Sequence, residues 1–255
     1  MQAIIIGAGR GRRLKSMTDN QPKCYAPIGG QRILDRLLTA LADSELGEHG
    51  RPVFIGGYLI NMVREDYPQL TFCHNTDWKN NNILASLFHA EHHMEGGFIC
   101  TYADIIFRPS VVRRAMEHEG DIVLCVDTHW RDRYAQRSQH SEEDAEKVMT
   151  DGDRVTRVDR TIAGEAAKGE YIGVAKFSPA GAAALREHYH RVRKKYTGQP
   201  WRGVAVFEKA YLIHLFQEMI EQQVAIHMVT TQGDYMEIDT EEDYALANRH
   251  WDQSL

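Results

Sequence analysis

Short apolar runs alternating with helical patterns predict an α/β fold, a mostly parallel sheet with helices on both faces. Three observations carry this. The alternation runs through the first half of the 255 residues, the first apolar run leads straight into a glycine-rich turn, and no linker, repeat or low-complexity tract interrupts the chain. One domain is therefore expected over residues 1–255, with 1–127 as the half that carries the glycine-rich turn and 128–255 as its substrate-facing half.

Ala3–Ile6 opens as a strand, and Ile33, Leu34, Leu37, Leu38 and Leu41 mark one helix face at three-to-four spacing. Val53–Ile55 is the next strand, Asn61–Tyr67 a short helix and Leu70–Cys73 a strand. Helical spacing returns over Ile83–His93, followed by a strand at Phe98–Tyr102, a helix over Ser110–His118 capped by its serine, and a strand at Asp121–Val126. From Thr128 to Lys147 the pattern dissolves into polar residues, either a mobile flap over a substrate or a solvated loop. Strands at Arg154–Val158 and Tyr171–Phe177 follow, then helices near Pro179–Tyr196 and Val206–Gln222, a strand near Val224–Val229 and a last helix after Asp239.

Composition excludes several classes. Hydrophobic residues make up 43% and charged residues 26%, a globular balance, and the formal net charge of −6 gives no reason to expect a nucleic-acid partner. No apolar run approaches the roughly 20 residues that cross a bilayer, so no membrane partner is expected. The N-terminus puts its apolar run before its charges, the reverse of a signal peptide, which predicts a cytoplasmic protein. No heptad marks a seam for self-association. Cys24, Cys73, Cys100 and Cys125 lack the Cys-x-x-Cys spacing of zinc or redox sites. His89 and His93 share zinc-like spacing but have no third ligand, and a polar helix face is the simpler reading.

The chemistry concentrates in Gly7-Ala8-Gly9-Arg10-Gly11-Arg12-Arg13-Leu14. Glycines after a strand let backbone N–H groups approach a phosphate or a base. A dinucleotide fingerprint needs glycine where Arg12 stands, and the Walker pattern is absent. What remains is a glycine turn crowded with Arg10, Arg12, Arg13, Lys15 and Lys23, suited to a polyanion such as a triphosphate. A glycine turn with solvated basic residues is the alternative.

Together with Pro22-Lys23 and Pro27-Ile28-Gly29-Gly30, this stretch resembles the signature of nucleotidyltransferases that couple an NTP to a phosphorylated acceptor. The resemblance implies a Rossmann-like three-layer α/β/α fold with a mostly parallel mixed sheet. It implies that Ala8, Gly9 and Gly11 cradle the nucleotide while Arg13 and Lys23 act as the catalytic cations. Gly7 stands where the family usually has alanine, a small-for-small change. In that reaction an acceptor oxygen, already anionic, attacks the α-phosphorus and pyrophosphate leaves, so catalysis is positioning plus cation, including Mg²⁺. Asp104, at the end of the Phe98–Tyr102 run, and Asp239, in Glu237-Ile238-Asp239-Thr240-Glu241-Glu242-Asp243-Tyr244, are the expected metal ligands. Either could instead be a turn or cap aspartate, though Thr240 could cap the last helix and leave Asp239 free.

Asn80-Asn81-Asn82-Ile83-Leu84-Ala85-Ser86-Leu87 is similar to the segment found in cytidylyltransferases for phosphocholine and alkylphosphonates. This places Asn81, Asn82 and Ser86 near the base or ribose of CTP, with helix capping as the alternative. Similarity to phosphonate-pathway cytidylyltransferases in the middle region puts Arg133, Lys147 and Glu170 around the acceptor. An ammonium-bearing acceptor would call on Glu170 or Glu237 with an aromatic wall from Tyr171, Tyr196 or Trp201. The expected partners are therefore CTP and a small phosphonate or phosphomonoester, 2-aminoethylphosphonate first and phosphocholine second. A sugar-1-phosphate enzyme using UTP or GTP is the third choice. A non-catalytic nucleotide sensor should show damage at Lys23, Asp104 or Asp239, and all three are present.

Overall fold

The computed structural model describes residues 1–44 and 50–251. Strand β1 (Gln2–Gly7) runs into two 3-10 turns, Arg12–Thr18 and Lys23–Tyr25, and a hairpin of β2 (Pro27–Ile28) and β3 (Gln31–Arg32). Then come α1 (Ile33–Ala42), β4 (Val53–Gly56), α2 (Ile60–Asp66), β5 (Thr71–His74), α3 (Ile83–Leu87), β6 (Phe98–Tyr102), β7 (Ile105–Phe107), α4 (Pro109–Glu117) and β8 (Ile122–Asp127). The second half holds α5 (Trp130–Tyr134), β9 (Lys147–Asp151), β10 (Arg154–Val158), β11 (Gly169–Phe177), α6 (Pro179–Tyr196), α7 (Leu212–Glu221), β12 (His227–Thr231), β13 (Tyr235–Glu237) and α8 (Glu241–His250).

Nine strands form one sheet in the order β5-β4-β1-β6-β11-β8-β12-β10-β9. The pairs β5–β4, β4–β1, β1–β6 and β8–β12 are parallel. Only β11 and β10 run against the common direction, so the sheet is mixed and mostly parallel. Strand alternation feeds two cores. Ile4, Ile6, Phe98, Leu124 and Val126 face α3, α6 and α7, whereas Ile5, Phe54, Ile99, Val123 and Cys125 face α1, α2 and α4. The result is the three-layer α/β/α arrangement. All four cysteines are buried and unpaired by disulfides, and no described helix is long and apolar enough to cross a membrane.

Several local expectations give way. Helix α4 starts at Pro109, whose fixed φ suits a first helical position, so Ser110 is not its cap and instead meets Asp234 at 3.2 Å. The helical stretch after Asn82 breaks into α3 and a 3-10 segment kinked at Ala90, which removes the shared face assumed for His89 and His93. Residues 128–147 are largely exposed but anchored, and His140, Asp144 and Glu146 among them line a cavity described below. Trp130, Tyr134 and Ala145 form a small buried cluster, and Arg137 makes a buried 2.7 Å ion pair with Asp243 at the start of α8. The helix expected from Val206 begins at Leu212, and the strand expected near Val224 begins at His227.

Sequence periodicity also missed the β7–β13 ribbon, three residues a side, in which Tyr235, Met236 and Glu237 pair with Phe107, Ile106 and Ile105. It carries the C-terminal segment back to the end of β6. The long strand β11 bends between Tyr171 and Ala175, where Gly173 adopts φ +78°. A Cβ there would lie 2.5 Å from the Tyr102 ring. Gly173→Ala is therefore expected to lower the unfolding free energy by about 1–3 kcal/mol, read as a shift in urea midpoint at constant slope.

Candidate active site

Lys23 is the centre of the site. Its stem crosses Gly11, which has φ +70° and whose Cβ, if present, would meet Lys23 Cδ at 2.6 Å. Glycine here serves both the left-handed turn and the passage of the lysine. The buried ammonium then donates to Asp104 at 2.7 Å and to Asp239 at a shorter distance, and the Arg13 guanidinium takes the other Asp239 oxygen. Burial alone would lower the Lys23 pKa, but Asp104 and Asp239 outweigh it and raise it well above the ordinary lysine value. Burial would likewise raise Asp239, yet Lys23 and Arg13 hold it well below the usual carboxylate range.

Each carboxylate is delivered by a different device. Asp104 lies just beyond the end of β6, at the carboxyl end of a strand in the parallel half of the sheet. Asp239 follows β13, and its backbone N–H, with that of Thr240, donates to Asp243. Thr240 caps α8 in a reciprocal box with Asp243, which leaves the Asp239 side chain pointing into the site. Gly7 proves less neutral than a small-for-small change suggests. An added Cβ would sit 2.7 Å from Phe54 Cζ and 2.8 Å from Ala103 Cβ, so Phe54 fills the room an alanine would need.

Two cavities meet at this cluster. The first, about 310 Å³, is lined by Ala8, Gly9, Gly11, Arg13, Lys23, Asn81, Asn82, Ser86, Trp78, Asp104 and Asp239. The second, about 370 Å³, shares Arg13, Asn82, Tyr102, Asp104 and Asp239 and adds Glu170, Tyr171 and Glu237. The shared residues form the passage between them. In the first cavity the asparagines also build the wall. Asn82 caps α3, and Asn81 makes a reciprocal amide pair with buried Asn75, which also donates to Ser86 at 2.9 Å.

The structure does not gather all the expected acceptor residues. Arg133 lies behind Glu170, committed to Asp127 and Glu170, so it positions the Glu170 carboxylate and lines neither cavity. Lys147 points away and donates to the Arg160 carbonyl at 2.7 Å, while its neighbours Asp144 and Glu146 face the second cavity. Trp201 packs on Phe207 and Tyr196, outside both cavities. Sequence reasoning passed over Tyr102, His140, Asp144, Glu146, Arg160, Tyr211 and Tyr235, all on the second cavity. For Glu146 a signal existed in the alternation of strand residues beside Lys147.

Two carboxylates on the second cavity have raised pKa values. Glu237 is pushed well above the ordinary range by burial and by Asp239, Asp104 and Glu170. Burial pushes Glu146 up to about 7 against the pull of Arg160, with Glu170 and Asp104 adding to the rise. At the passage, Asp104 Oδ1 is buried without a hydrogen-bond partner. Both oxygens of Asp239 are taken by Lys23 and Arg13, so a hard cation such as Mg²⁺ would find one open oxygen on Asp104 and would reach Asp239 only by displacing those partners.

A glycine turn at a strand end, a clamped lysine and paired acidic residues between two cavities define a nucleotidyltransferase. The chain belongs to the MobA-like NTP transferase domain family, which matches residues 3–222. It is 26% identical over 249 residues to the CTP:phosphoglutamine cytidylyltransferase of Campylobacter jejuni, covering 94% of this chain and 96% of that one. It is 29% identical over 142 residues to the 2-aminoethylphosphonate cytidylyltransferase of Lancefieldella rimae, covering 49% and 56%. The CTP:phosphocholine cytidylyltransferase of Streptococcus pneumoniae superposes with a TM-score of 0.71 at 18% identity, over 97% of each chain, and so shares the fold.

The raised Glu146 pKa has a signed consequence. A folded carboxyl that binds its proton more tightly than the unfolded one loses stability as pH rises from about 4.5 through about 7. Urea unfolding of the wild type should therefore fall between pH 5 and pH 8 relative to Glu146→Gln, by on the order of 1–3 kcal/mol. Parallel profiles for the two proteins would remove the buried-carboxyl assignment.

Proposed function

We propose that the protein is a Mg²⁺-dependent cytidylyltransferase that joins CTP to a small phosphonate or phosphomonoester bearing an ammonium group. The observation that carries the reading is the Lys23 ammonium held between Asp104 and Asp239 where the two cavities meet. The first cavity takes the nucleotide, with the backbone of Ala8 to Gly11 against its phosphates and Asn81, Asn82 and Ser86 toward the base or ribose. The likeness to cytidylyltransferases supports CTP as the donor.

The acceptor oxyanion forms a bond to the α-phosphorus of CTP as the bond to the bridging oxygen breaks, and pyrophosphate departs with that electron pair. No proton need be removed, which agrees with a passage lined by cations and carboxylates. Lys23 and Arg13 exchange their carboxylate partners for phosphate oxygens when nucleotide binds, and thereby offset the repulsion between the two anions. Asp104 and Asp239 would then hold Mg²⁺, which when bound supplies further neutralisation of the α-phosphate and leaving group. Glu237, with Tyr171, receives the ammonium end in the second cavity. The acceptors named for the two cytidylyltransferase relatives differ, one being an amino-acid derivative and one not, so the charges of this cavity must decide between them.

Pyrophosphate release across four NTPs and a panel of 2-aminoethylphosphonate, phosphocholine, inositol phosphate and glucose-1-phosphate tests the reading. Release with CTP and an amine-bearing acceptor is expected, and release only with UTP or GTP and a sugar phosphate would overturn it. Lys23→Met should lower kcat by roughly 10²–10³-fold with the fold intact. Asp104→Asn should raise the Mg²⁺ concentration needed for half-maximal rate, and chelation should abolish wild-type turnover.

A further inference from the structure

We infer that the second cavity is built for an acceptor carrying a carboxylate as well as an ammonium, and that Arg160 is the residue that recognises the carboxylate. This rests on the proposed transfer and narrows its acceptor class to phosphorylated or phosphonate amino acids.

The argument starts from a contrast between two arginines. Arg133 is enclosed and spent on Asp127 and Glu170. Arg160 follows β10 and lines the cavity with about a third of its side chain exposed. Its single hydrogen bond to a carboxylate is to Glu146 at 3.2 Å, longer than the 2.7–2.9 Å typical of charge-assisted pairs. Its Nε is buried without a partner, as is that of Arg133, so the two differ in the other end of the guanidinium, enclosed in Arg133 and partly exposed in Arg160. The Arg160 guanidinium lies 4.0 Å over the Tyr211 ring, a stack that fixes its plane.

An acceptor bearing only an ammonium would leave this guanidinium desolvated and unmatched when it fills the cavity, at a cost in binding. A carboxylate meets it with two parallel hydrogen bonds. The Glu146 carboxyl, pushed up to about 7, is partly protonated near neutrality and so competes weakly for the guanidinium. On another wall Glu237 lies 3.7 Å from His140, while both oxygens of Glu170 are taken by Arg133 and Tyr134, so the ammonium is left to Glu237. The phosphoryl group is left to Arg13 and Lys23 at the passage.

Two matched pairs of acceptors test this with CTP. O-phosphoserine differs from phosphoethanolamine, and 2-amino-3-phosphonopropionate from 2-aminoethylphosphonate, by one carboxylate. The wild type should favour the carboxylate-bearing member of at least one pair by about tenfold or more in kcat/KM. Arg160→Gln should bring that ratio near one, mainly through a higher KM for the carboxylate acceptor, and Arg160→Lys should keep part of it. A preference for the acceptor without the carboxylate overturns the inference and leaves the proposed transfer standing. So does an Arg160→Gln variant in which both acceptors fall together with the ratio preserved, the mark of a phosphoryl contact. Pyrophosphate from none of the four overturns this inference, and release with CTP and phosphocholine in the same assay would leave the proposed transfer standing.

Discussion

The ammonium of Lys23 lies between two carboxylates that the chain supplies from 81 and 216 residues away. Removing one member of such a buried pair costs about 3–5 kcal/mol, because the remaining charge is left without compensation. The surrounding structure follows from keeping this group together. The Gly11 turn admits the lysine stem, the end of β6 presents Asp104, and the β7–β13 ribbon returns the chain so that Asp239 can close the cluster. Asp243 sits one layer further out, receiving the Asp239 and Thr240 amides while Arg137 balances its charge. The segment 128–147, polar in sequence, is thus part of the scaffold for Asp239, through the Arg137–Asp243 pair and through His140, whose ring faces Glu237 and Asp243.

The two cavities differ in electrostatic character although they share a wall. The first is built from glycine turns, amides and the cations of the N-terminal loop, which suits a polyphosphate. The second is lined by Asp144, Glu146, Glu170 and Glu237, and its cations are placed singly. The two cavities therefore differ in the charge they present although Arg13, Asp104 and Asp239 belong to both.

Much of this was legible in the sequence wherever a local pattern carried the physics. The strand–glycine turn, the apolar periodicity of α1 and a threonine cap before α8 are short-range signals, whereas Lys23, Arg13 and Asp239 were singled out by resemblance to a family, and the fold brings the three to one cavity wall. The acceptor side was poorly legible because its residues become neighbours only through pairing of distant strands. Lys147 and Glu146 are adjacent in sequence but face opposite ways, and the choice between them depends on the register of β9 against β11. Arg133 looked like a ligand group since nothing local reveals that Asp127 and Glu170 meet across β8 and β11. Three-residue strands such as β7 and β13 carry too few residues for periodicity to declare them.

The β7–β13 ribbon also ties the charge balance of the glycine loop to a distant stretch of backbone. Asp104 reaches Lys23 directly from the end of β6, whereas Asp239 reaches it from the segment that follows β13, which pairs with β7 over three residues. A change that loosens those three backbone pairs therefore alters the surroundings of a lysine more than two hundred residues earlier in the chain.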